Sequence, residues 1–324
     1  MLKISVIIPT YNRSAILSQC LDSLLLQNYP KENYEILVVD NASKDGTFEV
    51  VNDYQRKYGK DLIRYVYEVK PGLVHARHCG YKNSQYDILS YTDDDAILHP
   101  NWLASIAKSF ESSDSPSAVG GKILIRWNET PPDWIFPYES LLGKLDYGNE
   151  DFVKEGLFIN GGNFHIRKEI LKILGGFNPD QIGDWLIGDG ETGLCRKLHK
   201  NGYMIGWAPN ALMEHYQVVS KNATKEDIKR RYINNGRCEV YDLVVAKNSK
   251  FSVILKYFMK TSIRLLESFL GILKYFFRAE YSEPKLGYYF IFHFYLTQYL
   301  YFLNLKLNSR FRKLVYETSW LEES

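Results

Sequence analysis

Short apolar runs that each stop at a proline or an acid, separated by stretches of helical periodicity, narrow the architecture of this chain more than any other feature. Ile4–Ile8 runs into Pro9, Glu35–Val39 into Asp40, and Asp87–Thr92 into Asp93, Asp94 and Asp95. Between the first two, Ile16, Leu17, Cys20, Leu21, Leu24 and Leu25 recur with the helical period behind Ser14, which can cap the helix. A second helix follows Asp45-Gly46, Leu62–Tyr67 alternates as a strand, and Leu73–Ser84 reads as a third helix. Asn101–Ser112 reads as helical and Ala118–Ile125 as extended. After a loop with Pro131, Pro132 and Pro137, strand Phe164–Ile166 leads into helix Lys168–Leu174. Alternation of this kind through residue 215 predicts an α/β fold with a mostly parallel sheet and crossover helices. In open α/β sheets ligands bind beyond the strand ends, so acids placed there point to one cleft. Turn formation is the plainer explanation for Asp40 taken alone.

The acid triplet carries the most chemistry. Three adjacent carboxylates repel one another unless a cation or donors compensate them. Their oxygens are hard ligands, suited to Mg²⁺ or Mn²⁺ and not to zinc. On an extended segment Asp93 and Asp95 point to one side and Asp94 to the other, so the first and third can share a ligand. A solvated acidic loop is the alternative.

Composition removes several function classes. Among 324 residues, 40 Lys and Arg stand against 38 Asp and Glu, a net charge of +2 that argues against a dedicated nucleic-acid binder. A 45% hydrophobic and 24% charged content excludes wholesale disorder. Cys20, Cys79, Cys195 and Cys238 lack metal-type spacing and read as reduced thiols. Met1–Thr10 holds one lysine and a short apolar run before Pro9, without a leader pattern, so the expectation is a chain on the cytoplasmic side.

The C-terminal region differs. Residues 251–313 carry 10 Lys and Arg against 3 Asp and Glu. Lys256, Lys260, Arg264, Glu267, Gly271, Lys274 and Arg278 form one mostly basic stripe at helical spacing. Leu286–Leu305 is 20 uncharged residues rich in Tyr and Phe, long enough to span a bilayer core. His293, Thr297, Gln298, Asn304 and the tyrosines favour the interface over a span. The expectation is peripheral membrane contact through 251–313, on the inner face of the cell membrane. Packing on the body or on another copy in a homo-oligomer is the alternative.

Six blocks, in order, resemble family 2 glycosyltransferases over residues 4–215. They are Val6-Ile7-Ile8-Pro9-Thr10-Tyr11-Asn12-Arg13, Val38–Thr47, Pro71–Gly80, Thr92–Ala96, Gly161–Arg167 with Gly175-Gly176-Phe177, and Gly188–Leu194. The resemblance implies the glycosyltransferase-A fold and transfer of a sugar, with inversion, from a nucleoside diphosphate donor, UDP being the family's commonest nucleotide. It implies a catalytic domain over 1–245, with a nucleotide-binding half to about 125 and an acceptor half over 126–245, followed by an aromatic-rich helical region over 246–324. Pro9, Thr10, Tyr11 and Arg13 would line the nucleotide pocket, Asp40 would bond the base, and Arg77 would approach the ribose or diphosphate. Asp93 and Asp94 would contact the donor, and Asp95, with Asp93 and His215, would hold Mn²⁺ or Mg²⁺. Gly161 and Gly162 would let the backbone approach the sugar. The acceptor would be a glycan or a lipid-linked sugar.

Inversion needs a carboxylate to take the acceptor's proton, and the matching block offers Asp189 and Glu191. Glu191 is favoured because it opens helix Thr192–Lys200, while capping of that helix is the alternative role for either. Two rival functions remain. A sugar-nucleotide pyrophosphorylase would show a glycine-rich loop where Pro9-Thr10-Tyr11-Asn12 stands, and a non-catalytic membrane scaffold would have lost the carboxylates that this chain retains.

Overall fold

The computed structural model describes residues 1–182, 185–316 and 321. Strands β1 (Ile4–Thr10), β2 (Tyr34–Asp40), β3 (Ile63–Tyr67) and β4 (Ile88–Thr92) stand in the order β3-β2-β1-β4, and every pairing among them is parallel. Helices α1 (Ser14–Leu25), α2 (Thr47–Tyr58) and α3 (Leu73–Asn83) make the crossovers. β1 is buried over all seven residues, as a central strand covered on both faces must be. Its alternate residues feed two cores: Ile4, Val6 and Ile8 join Leu17, Leu21 and Val38 on one face, and Ile7 joins Val39, Val74 and Tyr91 on the other. Ser14 opens α1 instead of capping it. The cap position is Arg13, and the Ser14 N–H donates to Asp45 Oδ2 at 2.9 Å, a partner 31 residues away that a local cap pattern does not contain.

Beyond β4 the sheet is mixed. In chain order come β5 (Ala96–Leu98), α4 (Trp102–Phe110), β6 (Ala118–Trp127), β7 (Phe152–Glu155), β8 (Asn163–Arg167) and α5 (Lys168–Ile173). The short pair β9 (Gln181–Ile182) and β10 (Trp185–Leu186), α6 (Gly190–Lys200) and β11 (Met204–Gln217) complete it. β8 lies antiparallel between β4 and β6, because the proline-rich loop, and not a crossover helix, leads to it. The long β11 runs parallel to β6 and antiparallel to β5 and β7, giving the order β3-β2-β1-β4-β8-β6-β11-β5.

The remaining chain is helical: α7 (Val219–Asn222), α8 (Lys225–Tyr241) closing in a π turn, α9 (Phe251–Lys274), α10 (Glu283–Leu307) and α11 (Ser309–Val315). α10 is built into the body. Leu286 and Phe290 pack with Ile135, Tyr138 and Ile228, while Tyr301 and Leu305 enter the main core with Trp207 and Val240. A Cβ on Gly236 of α8 would lie 2.5 Å from the Phe294 carbonyl, so only glycine permits this helix crossing. α9 buries only Thr261, Ser268 and Gly271, small residues turned toward α10. Among the described residues no helix is long and apolar enough to cross a membrane.

Asn163 joins four elements where the two halves of the sheet meet. Its Oδ1 accepts from Trp102 Nε1 at 2.9 Å and lies 2.9 Å from His165 Nε2, and its Nδ2 donates to the Lys122 and Ala211 carbonyls. Asn163→Leu should leave these buried groups unpaired and lower stability by about 3 kcal/mol. Urea unfolding checks this, and a loss below about 1 kcal/mol would contradict it.

Candidate active site

β4 ends at Thr92, and the turn through Asp93–Asp95 returns into β5. Pairing of β5 with β11 sets Ala96 opposite His215, and the Tyr216 N–H extends the ladder to the Asp95 carbonyl at 2.9 Å. This register puts His215 Nε2 3.1 Å from Asp95 Oδ1. One ligand atom from each of Asp93, Asp95 and His215 lies within 4.8 Å of the others. Asp95 Oδ1 is buried without a hydrogen bond of proper geometry, the His215 contact being one of distance and charge. Two carboxylates and an imidazole, with a buried oxygen left over, fit a divalent cation.

Asp94 turns the other way. Its Oδ2 accepts from Thr10 Oγ1 at 2.7 Å and its Oδ1 from Arg13 Nη1 at 3.1 Å, and the same guanidinium also donates to Asp95. Thr10 and Arg13 thus hold the acid triplet, while Pro9 is buried in β1 and Tyr11 is exposed beside them. Burial, with the charge of Asp95, pushes the Asp93 carboxyl up against the pull of Arg77 and His215. Burial also lifts Asp94 to about 7 despite Arg13. The same burial acts on Asp95, but His215 and Arg13 outweigh it and hold Asp95 at about 2. Burial opposes the charged form of His215, and Asp95 reverses that, so the imidazole is raised.

Asp40 ends β2 next door. Its Oδ1 accepts from the Ser43 N–H at 2.8 Å and its Oδ2 from the Tyr65 hydroxyl at 2.7 Å. Asn12 and Ala42 have φ of 53° and 64°, left-handed conformations that cost a non-glycine residue roughly 1–2 kcal/mol. They bring the loops after β1 and β2 together: the Asn12 N–H donates to Ser43 Oγ, and the Lys44 N–H to Asn12 Oδ1.

Arg77, on α3, is buried, and its Nη1 reaches Glu191 Oε2 at 3.3 Å. Burial disfavours its charge, but Glu191, Asp93 and Asp180 reverse the effect and raise it. A Cβ on Gly161 would lie 2.4 Å from Arg77 Nη2, and one on Gly162 2.5 Å from Asp93 Oδ2. The two glycines therefore make room for these two side chains, where the sequence reading expected them to admit the sugar.

The two candidate bases are placed differently. Asp189 is buried with both oxygens engaged, by Asn178 Nδ2 at 2.8 Å and Arg196 Nη1 at 2.6 Å. Burial still raises its carboxyl above the usual range. Glu191 sits in the first turn of α6, partly exposed, facing Arg77. Sequence reasoning missed Asp180. Its carboxyl packs on Gly190, where a Cβ would lie 3.2 Å from Asp180 Cγ, and burial together with the charge of Glu191 pushes it up to about 7. Its only sequence signal is an acid in the turn after Gly175-Gly176-Phe177, which acquires meaning once α6 is folded beside it.

The segment leading to Glu191 is held from behind. The Tyr301 hydroxyl of α10 donates to the Ile187 carbonyl, and Cys238 Sγ of α8 to the Gly188 carbonyl at 3.4 Å. Nothing in the sequence around either residue singles out these contacts.

The model of glycosyl transferase family 2 matches residues 5–174. A Methanococcus voltae dolichyl N-acetyl-alpha-D-glucosaminyl phosphate 3-beta-D-2,3-diacetamido-2,3-dideoxy-beta-D-glucuronosyltransferase is 40% identical over 244 residues, 70% of each chain. The Haloferax volcanii glycosyltransferase AglE is 27% identical over 214 residues, 65% of this chain and 66% of that one. The chain thus spans about two thirds of the length of these relatives. Among solved structures, a Pyrobaculum calidifontis mannosyltransferase in complex with GDP-Man and Mn²⁺ superposes with a TM-score of 0.57 at 19% identity, covering 99% of this chain and 85% of that one. Staphylococcus aureus TarS 1–349 in complex with UDP-GlcNAc gives 0.51 at 15% identity, covering 94% and 92%. The shared fold is the glycosyltransferase-A arrangement, a mixed sheet with flanking helices and a helical C-terminal region.

A carboxyl raised by folding stabilises the protein below its unfolded value and loses that contribution as pH rises through the folded one. Relative to Asp180→Asn, the protein should therefore lose stability between pH 4 and about 7, the folded value of Asp180. Melting curves of both across that range check it, and parallel profiles would contradict it.

Proposed function

The chain belongs to glycosyl transferase family 2, and from that premise we propose an inverting, metal-dependent transfer of a sugar from a nucleoside diphosphate donor, a UDP-sugar, to a lipid-linked or glycan acceptor. The observation that carries this reading is the convergence of Asp93, Asp95 and His215 beside an Arg77–Glu191 pair. A divalent cation such as Mn²⁺ or Mg²⁺, held by Asp93, Asp95 and His215, would supply Lewis-acid stabilisation of the negative charge that grows on the departing diphosphate.

The protein's own residues do the rest. Thr10 and Arg13 fix Asp94 and neutralise the triplet, so the donor meets a site already organised. Asp40, at the end of β2, is the candidate contact for the base. The acceptor hydroxyl oxygen bonds to the anomeric carbon as the bond to diphosphate breaks, the electron pair leaving with the phosphate and the proton passing to Glu191. Arg77 orients that carboxylate. Asp189, fully engaged by Asn178 and Arg196, acts as a brace for the turn.

A lipid-linked acceptor has two supports. The relatives include enzymes named for dolichyl-phosphate-linked sugars, and residues 251–313 are basic and aromatic. That composition supports peripheral contact with a membrane, which we place on the inner face of the cell membrane.

Donor hydrolysis and transfer to a polyprenyl-phosphate-linked sugar, measured over UDP- and GDP-sugars with Mn²⁺ or chelator, test the proposal. Glu191→Gln should cut transfer by about 10²–10⁴-fold without moving the donor KM, Asp189→Asn should chiefly lower the melting temperature, and Asp95→Asn should remove stimulation by Mn²⁺. Turnover untouched by Glu191→Gln, or indifferent to chelator, would refute the assignment.

A further inference from the structure

The outward side of α9 is an unbroken apolar strip. Leu255, Met259, Ile263, Leu266, Leu270 and Leu273 recur at helical spacing, and each is more than half exposed. Contiguous apolar strips of this kind commonly mark a site of protein or membrane contact. Two different neighbours flank it. Lys256, Lys260, Arg264 and Lys274 each directly follow a member of the strip, so they form a row about 100° round the helix. Ser262, Leu265 and Phe269 each directly precede one, and they turn the opposite way, toward α10. There they meet Phe292 and Tyr299 to line an apolar groove of 370 Å³. Further along α10, Leu300, Leu303 and Leu307 are exposed as well.

The groove has a reason to exist. The seam between the two helices is made by Thr261, Ser268 and Gly271, and a Cβ on Gly271 would lie 2.3 Å from the Tyr288 ring. Close approach along that seam leaves the larger side chains at its outer edge splayed, with the Ser262 and Tyr299 hydroxyls joined across one end.

We propose that this groove seats one acyl chain of an anionic bilayer lipid, the strip lying in the interface and the basic row meeting the headgroups. The proposal rests on the membrane contact inferred above and specifies where and how a lipid is held. Three observations select this occupant. The groove opens directly onto the apolar strip, its lining offers hydrocarbon and aromatic surface with polar atoms only at one end, and the adjoining row is cationic, with Glu267 already paired to Arg264 at 2.9 Å. A second copy on the same face would bring two cationic rows alongside each other, at a like-charge cost.

The experiment uses the full chain with phosphatidylcholine vesicles containing phosphatidylglycerol whose acyl chain carries a diazirine. After irradiation, adducts should map to Leu265 and Phe292 on the groove floor as well as to the strip. In Ser262→Trp, which fills the groove, floor adducts should be lost while sedimentation with vesicles, strip adducts and donor hydrolysis stay unchanged. Sedimentation with adducts on the strip alone, or floor adducts that survive Ser262→Trp, would overturn the groove and leave membrane contact standing. A protein that stays in the supernatant with every vesicle would overturn both. Loss of floor adducts on adding a trace of polyprenyl phosphate would assign the groove to the acceptor's tail, and concentration-dependent dimers with a protected groove would assign it to a second copy. Either result would overturn the bilayer-lipid assignment.

Discussion

Two like charges 4 Å apart cost about 4 kcal/mol at an effective dielectric of 20, and this fold sets three carboxylates in succession at the end of one buried strand. The groups that make this tolerable come from separate parts of the chain: Thr10 and Arg13 after β1, Arg77 on α3, and His215 on β11. Each arrives through the order of the sheet. β1 lies next to β4, so the loop after it reaches Asp94, and β5 turns back onto β11, so His215 reaches Asp95. Losing any of these partners would leave a buried charge uncompensated, a far larger penalty than losing a surface ion pair. The sheet's topology and the site's electrostatics are one requirement.

Arg77 extends that requirement to the second half of the molecule. It is a buried cation among Asp93, Glu191 and Asp180, and Gly161 and Gly162 supply the space that it and Asp93 fill. The turn after β4 and the start of α6 therefore meet through one guanidinium, which couples the position of the acid triplet to that of Glu191.

The first four strands were legible in the sequence from local signals: β1, β2 and β4 are short apolar runs that end at a proline or an acid, and β3 alternates. The antiparallel return of β8 was not legible, since the 3-10 turn at Asp133–Leu142 and the loop around it carry no period that announces direction. Site residues behaved likewise. Those inside compact blocks, such as the acid triplet, could be named from neighbours in the sequence. Asp180, Cys238 and Tyr301 could not, because their meaning lies in contacts to Gly190, Gly188 and Ile187 made only after α6, α8 and α10 dock. Asp189 and Glu191 likewise look equivalent at a spacing of two residues, and their surroundings differ only once Arg196, about two turns along α6, pairs with Asp189.

The helical region reads in sequence as an appendage, yet α10 buries Phe290 in a side cluster with Ile135 and Tyr138 and sets Tyr301 and Leu305 in the main core. A protease or a frameshift that removed it would strip the core and slacken the turn ahead of Glu191 in a single event. Such a chain would lose its packed interior and the support behind the turn together, so unfolding and loss of the site would coincide.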